Sequence, residues 1–167
     1  MKKYLAALGV VALFVLIGLT VRHWGFSLIR ISGTSMEDTL QSGDVVLVTR
    51  WDYRFNRSPG RMDVVECRFP NRRGTYVKRV IGLPGESLIY RDGQLTVDGQ
   101  PLSEPYILSV TEDFYVDLAD DEYFVMGDNR MESYDSRAAD MGAIGESAFV
   151  GRVRWILWPL NRFGPVN

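Results

Sequence analysis

The chain opens with one long apolar run and then changes rhythm. Tyr4 to Val21 carries no charge, and only Tyr4, Gly9, Gly18 and Thr20 interrupt its bulky apolar residues. Wound as a helix, a run of that length spans about 27 Å, close to the hydrocarbon thickness of a bilayer. Lys2 and Lys3 precede the run, and Trp24 and Phe26 follow it, where aromatic rings favour a membrane interface. A cleaved secretory signal is the competing reading, but the run exceeds a usual signal core and no Ala-x-Ala-like site follows. The pattern predicts a short cytoplasmic tail at 1–3, a transmembrane anchor over 4–22 and a linker over 23–28. Lys2, Lys3 and the free amine favour a cytoplasmic N-terminus with the remainder outside, a bias that Arg22 and Arg30 weaken.

From about residue 29 the apolar runs become short and are punctuated by glycine. Gly43-Asp44 opens Val45 to Val48, Met62 to Phe69 forms a second run, and Gly74 to Leu83 a third. Ser87 to Gln100 reads as a hairpin with Asp92-Gly93 at its turn, and Asp98-Gly99 starts the next turn. Tyr123 to Met126 and Ala148 to Trp158 supply two more strands, the last ending at Pro159. No stretch after the anchor keeps a helical period over three turns. The expected fold of 29–167 is mostly β, a curled or barrel-like antiparallel sheet.

Composition narrows the chemistry. In 167 residues with 46% hydrophobic content there is room for one membrane segment and one compact domain. A net charge of −2 gives no global field for nucleic acid. Arginines do cluster at 50, 54, 57, 61, 68, 72, 73 and 79, which reads as a solvated face or a contact with anionic lipid. The single Cys67 excludes an internal disulfide and reads as a small core residue. With one histidine, His23, a Ser-His-Asp triad or a multi-histidine metal site has no material, and neither metal nor cofactor is expected.

Lysine is the scarce residue that stands out. Of 19 basic residues 16 are arginine, and beyond Lys2 and Lys3 the chain keeps only Lys78. Guanidinium stays charged at any working pH, whereas an amine can lose its proton. Strand alternation puts Tyr76, Lys78 and Val80 on one face and Val77, Arg79 and Ile81 on the other. An amine between Tyr76 and Val80 is partly desolvated, which lowers its pKa towards that of a useful base. A salt-bridged surface lysine is the plainer alternative. The best place for a nucleophile is Ile31-Ser32-Gly33-Thr34-Ser35-Met36, a hydroxyl-rich turn that by itself marks only a loop. A third segment, Gly127 to Arg137, is dense in hydroxyls, amides and opposed charges, as a polar loop closed by an Asp135–Arg137 pair would be.

Taken together, four segments resemble the type I signal peptidases. They are Ser32 to Leu40, Gly43-Asp44-Val45-Val46, Lys78 to Glu86, and Gly127-Asp128-Asn129-Arg130 with Ser133, Asp135, Ser136 and Arg137. Their order and spacing match from the anchor to the C-terminus, in the compact form of Gram-positive bacteria. The resemblance implies a membrane-bound serine endopeptidase that removes signal peptides from secreted preproteins after a small-x-small site. In that role Ser35 is the nucleophile and Lys78 the general base, with Ser133 orienting the amine. Asp135 and Arg137 pair to hold the loop, and Asp128 and Arg130 support it. The backbone N–H of Ser35 meets the oxyanion, because Gly33 stands where some relatives carry a serine hydroxyl. Ile31, Met36, Leu40 and Val77 line apolar pockets for small guest side chains, and surface around Met36 rests in the bilayer. Asp38 replaces the family's usual proline.

Three other readings carry less of the sequence. A self-cleaving repressor of the serine–lysine type needs a DNA-binding helical domain that this chain lacks. A silent membrane-anchored binding module has no use for Ser35, Lys78 and Ser133 together. A peptidase specialised for a narrow substrate set shares every motif and differs only in its substrates.

Overall fold

The computed structural model describes residues 2–53, 57–107 and 109–167. Helix α1 (Lys2–Trp24) opens the chain, over the run expected to form an anchor at 4–22. The side chains of 2, 3, 5–7, 17 and 20–24 lie outside the described set, His23 among them. Among the described residues no helix is long and apolar enough to cross a membrane.

The remainder is β with short 3-10 turns. Twelve strands follow in order: β1 (Phe26–Arg30), β2 (Val45–Thr49), β3 (Val64–Cys67), β4 (Tyr76–Gly82), β5 (Ser87–Arg91), β6 (Gln94–Val97), β7 (Gln100–Pro101), β8 (Phe114–Asp117), β9 (Glu122–Met126), β10 (Ile144–Gly145), β11 (Phe149–Trp158) and β12 (Gly164–Pro165). The larger sheet runs β1-β2-β11-β3-β4-β9-β10, with β12 added to β11; the smaller runs β7-β6-β5-β8. Every pairing is antiparallel. The β-branched runs fall in interior strands of the larger sheet, of which β3 is buried along its whole length.

Three apolar clusters hold the sheets. The first joins Ile31, Met36 and Leu40 to Val46, Val48, Val64, Val153 and Ile156, with Ile29 and Val77 packed against it. Ile29 belongs to the edge strand β1 and Val77 to β4, four strands further on, so the sheet curls to bring them onto one core. The second lies on the opposite face of β3 and β4, around Val65, Cys67, Phe69 and Val80. The third, around Ile81, Leu88, Tyr90, Phe124 and Met126, joins the two sheets. Cys67 is fully buried in the second cluster, and burial pushes its thiol up to about 12, which leaves it inert as a nucleophile.

Besides the two-residue strands β7, β10 and β12, two strands escape the sequence pattern. β1 follows the apolar run directly and shows only through its register with β2, from Phe26↔Thr49 to Arg30↔Val45. β8 sits on the edge of the smaller sheet with alternate residues exposed. Of the clustered arginines, Arg50, Arg57, Arg68, Arg72 and Arg73 are exposed to solvent as expected, Arg61 is half-buried against Glu86, and Arg79 departs from the rest at 1% exposed, pointing into the protein; Arg54 lies outside the described residues.

Candidate active site

The turn carrying Ser35 is an excursion between β1 and β2. Ile31 N–H donates to Asp44 O at 2.8 Å and Gly43 N–H to Ile31 O at 2.9 Å, so the ladder closes beneath the excursion. Leu40 anchors it, fully buried in the first cluster. Asp44 accepts from Gln41 N–H at 2.9 Å and from the Arg162 guanidinium, whose Nη2 also reaches Thr39 O at 3.1 Å. Gly33 takes φ of +95°, a conformation glycine supplies freely two residues before the serine.

β4 brings Lys78 to this turn. Its Nζ donates to Ser35 Oγ at 2.8 Å, and the residue is 2% exposed. Burial lowers the pKa of the amine from its ordinary 10.5. Asp135 and, more weakly, Asp128 act against that shift, while Arg137 adds to it. The acidic pair beside the turn is not the opposing influence: Asp38 is exposed to solvent. The Glu37–Asp38 peptide bond is cis.

The loop after β9 closes the site. Asp135 is buried, yet its carboxyl lies below the usual range. Desolvation, which would raise it, is outweighed by Arg137, Ser133 and Gly127 N–H. Arg137 donates from Nε to Oδ1 and from Nη2 to Oδ2, each at 2.8 Å, and Gly127 N–H reaches Oδ2 at 2.9 Å. Ser133 Oγ donates to Asp135 Oδ2 at 2.6 Å. Among the described hydrogen bonds Ser133 has none to Lys78, so its hydroxyl is engaged by the carboxylate rather than by the amine.

Gly127 fits where a side chain cannot. A Cβ there would stand 2.2 Å from Ser133 Oγ and 2.3 Å from Ser35 O, which places the two serines against one backbone position. Asn129 N–H then donates to Ser35 O at 3.1 Å, and Asn129 Nδ2 to Thr34 O at 3.3 Å. Among the described hydrogen bonds the N–H of Ser35 donates to nothing, which leaves it available to an incoming oxygen.

Asp128 and Arg130 have partners that local spacing did not reveal. Arg79 donates to Asp128 from Nε at 2.9 Å and from Nη2 at 2.7 Å, and its guanidinium stacks 4.0 Å from the centre of the Tyr106 ring. Thr39 Oγ1 donates to Asp128 Oδ2 at 2.5 Å, so this pair ties β4 and the loop to the serine turn. Arg130 donates to Glu104 and, from Nε at 3.0 Å, to Gly127 O. Both buried carboxylate–guanidinium pairs join distant segments, and Glu104 carried no signal in the sequence.

The four expected pocket residues divide. Ile31 is 7% exposed, Met36 2% and Leu40 0%, all within the first cluster. Met36 and Leu40 thus lie beneath the serine turn, and Met36 is not itself an exposed apolar surface. Val77 is half-buried at the cluster's edge.

Known proteins resemble this chain over most of its length. Residues 1–158 match the family model described as "Signal peptidase, peptidase S26". The chain is 35% identical to signal peptidase I V of Bacillus subtilis, covering 90% of this chain and 95% of that one. It is 34% identical to signal peptidase I T of the same organism, covering 90% and 83%. A crystal structure of a signal peptidase I from Enterococcus faecalis, 34% identical, superposes with a TM-score of 0.52 over 56% of this chain and 95% of that one. The chain belongs to the signal peptidase family, peptidase S26, a family of serine endopeptidases that remove signal peptides.

Proposed function

We propose that the chain cleaves secretory preproteins after a small-x-small site with Ser35 as nucleophile and Lys78 as general base. The observation that carries this reading is the 2.8 Å hydrogen bond from Lys78 Nζ to Ser35 Oγ at a buried amine. Desolvation favours the neutral amine, which takes the hydroxyl proton as Ser35 Oγ attacks the scissile carbonyl. The Ser35–acyl bond forms as the C–N bond breaks, and the amine returns the proton to the departing nitrogen. Water then repeats the attack with Lys78 again as base. The free N–H of Ser35 faces the developing oxyanion.

The sheet supplies a berth for the guest. β4 pairs with β3 from Tyr76 to Arg79, but with β9 only from Arg79 onwards. Residues Tyr76 to Lys78 therefore keep one open edge beside the serine turn. An extended preprotein segment adds there as a strand, held by main-chain hydrogen bonds, with alternate side chains turned towards Val77 and the first cluster.

Membrane attachment rests on two features. α1 leaves Leu8, Val11, Leu13, Phe14, Leu16 and Leu19 exposed, within an uncharged run of the sequence. On the β1–β2–β11 side of the larger sheet, Leu28 and Trp155, both in register with Leu47, stay exposed together with Trp158, Leu160 and Phe163. Such a stripe suits the interfacial region of a bilayer, with α1 as anchor, the N-terminus cytoplasmic and the β-domain outside. Cleavage of a secretory preprotein in detergent micelles, with the new N-terminus sequenced, tests the whole reading. A cut after the small-x-small site by wild type, absent in Ser35→Ala, supports it; an equal cut by Ser35→Ala contradicts it.

A further inference from the structure

Glu66 is a buried carboxylate with one oxygen left unpaired among the described residues. It lies in the middle of β3, is 5% exposed, and its Oε2 is sealed from solvent without a hydrogen-bond partner among the described residues. Each other acidic side chain buried in this protein has a cation, hydroxyl or N–H against it: Asp44, Asp52, Asp63, Asp128 and Asp135. A sealed, unpaired carboxylate oxygen costs stability, so its retention asks for a donor that arrives from outside.

Its orientation follows from the register. Val65 and Cys67 of β3 enter the second cluster, while Val64 enters the first, so Glu66 shares the face of Val64. Glu66 is the cross-strand partner of Val77 on β4, and its neighbour on β11 is Gly151, which offers no side chain. Val77 is the residue at the open edge of β4, on the concave face where Ile29 and Val77 converge. A guest strand on that edge sends one side chain towards Ser35 and the next inward side chain, two residues earlier, over Val77 towards Glu66.

We propose that Glu66 makes this enzyme selective for preproteins whose residue three before the cut carries a hydrogen-bond donor. The proposal rests on the reading of Ser35, Lys78 and the β4 edge given above, and it adds a specificity residue to that site. The hydroxyl of a small guest side chain donates to the carboxylate, and the arriving strand covers what solvent contact remains. An apolar guest of the same size leaves the carboxylate unpaired in a drier site, and is discriminated against.

The test uses size-matched substrates differing only at that residue, serine against alanine and threonine against valine, with kcat/KM measured for each. Wild type in micelles is expected to favour the donor in each pair by about tenfold or more. Glu66→Val should abolish or reverse both preferences, and Glu66→Gln, which keeps an acceptor oxygen, should retain part of them. Glu66→Val should also melt no lower than wild type, since it removes an unsatisfied charge. Equal donor-to-apolar ratios in wild type and Glu66→Val overturn the proposal. Failure of wild type to cut any of the four substrates instead contradicts the underlying assignment of the site, a different result from cutting without preference.

Discussion

Lys78 and Arg79 are consecutive residues of one strand, both cationic and both nearly inaccessible, yet the protein treats them in opposite ways. Arg79 receives a carboxylate on two of its nitrogens, a hydroxyl and an aromatic face. Lys78 receives a serine hydroxyl, and its nearest acidic influence, Asp135, is already gripped by Arg137, Ser133 and a backbone N–H. Alternation along β4 aims the two side chains at opposite faces, so one strand separates a charge that must stay from a charge that must be able to leave. The guanidinium clamps the serine turn through Thr39 and Asp128, and the amine works on what that clamp holds still.

Removing the nucleophile is the harshest way to break this comparison. Ser35→Ala is expected to lower kcat by about four orders of magnitude or more while the melting temperature stays close to wild type. Gly127→Ala comes next. Its Cβ collides with Ser133 Oγ and Ser35 O, so preprotein cleavage should fall by about a hundredfold or more in a protein that still shows a β-type circular dichroism spectrum. Arg79→Met strikes the other half. It strands Asp128 in the interior, and urea unfolding should report a loss of about 3–5 kcal/mol.

A pH series sharpens the contrast more gently. Lys78 acts in its neutral form, so kcat/KM rises with pH through the amine's pKa, and burial sets that rise below 10.5. Asp135 favours the ammonium. Asp135→Asn removes that influence while Arg137 remains, so the rising limb should move further towards acid even as the loosened loop lowers the plateau. A shift towards alkali would contradict the role given to desolvation. The smallest effect is expected from chelators: EDTA should leave cleavage intact, because Ser35 and Lys78 need no Lewis acid.

The legible part of the fold was the part written in local pattern. β-branched runs marked β2, β4 and β11, and Asp92-Gly93 marked the hairpin of β5 and β6. β1 stayed hidden because Phe26 to Arg30 continues from an apolar helix, and only its pairing with β2 makes it a strand. In the site, the scarcity of lysine singled out Lys78, and a resemblance of four segments singled out Ser35. The Arg79–Asp128 and Arg130–Glu104 pairs were not legible, since they bridge 49 and 26 residues and depend on how the sheet curls. The same curl buries Met36 and Leu40, which the sequence placed in pocket walls, and exposes the tryptophans near the C-terminus instead. Glu66 read as one polar residue in an apolar strand until the register set it beside Val77.

The most direct test compares wild type with Lys78→Arg on a secretory preprotein in detergent micelles, with thermal melting of both proteins measured alongside. Arginine keeps the charge and most of the length but cannot release its proton. The account predicts a loss of about a hundredfold to ten-thousandfold in cleavage by a variant that remains folded. Equal cleavage by the two proteins would make Lys78 a structural cation like its neighbour, and the assignment of the base would fall.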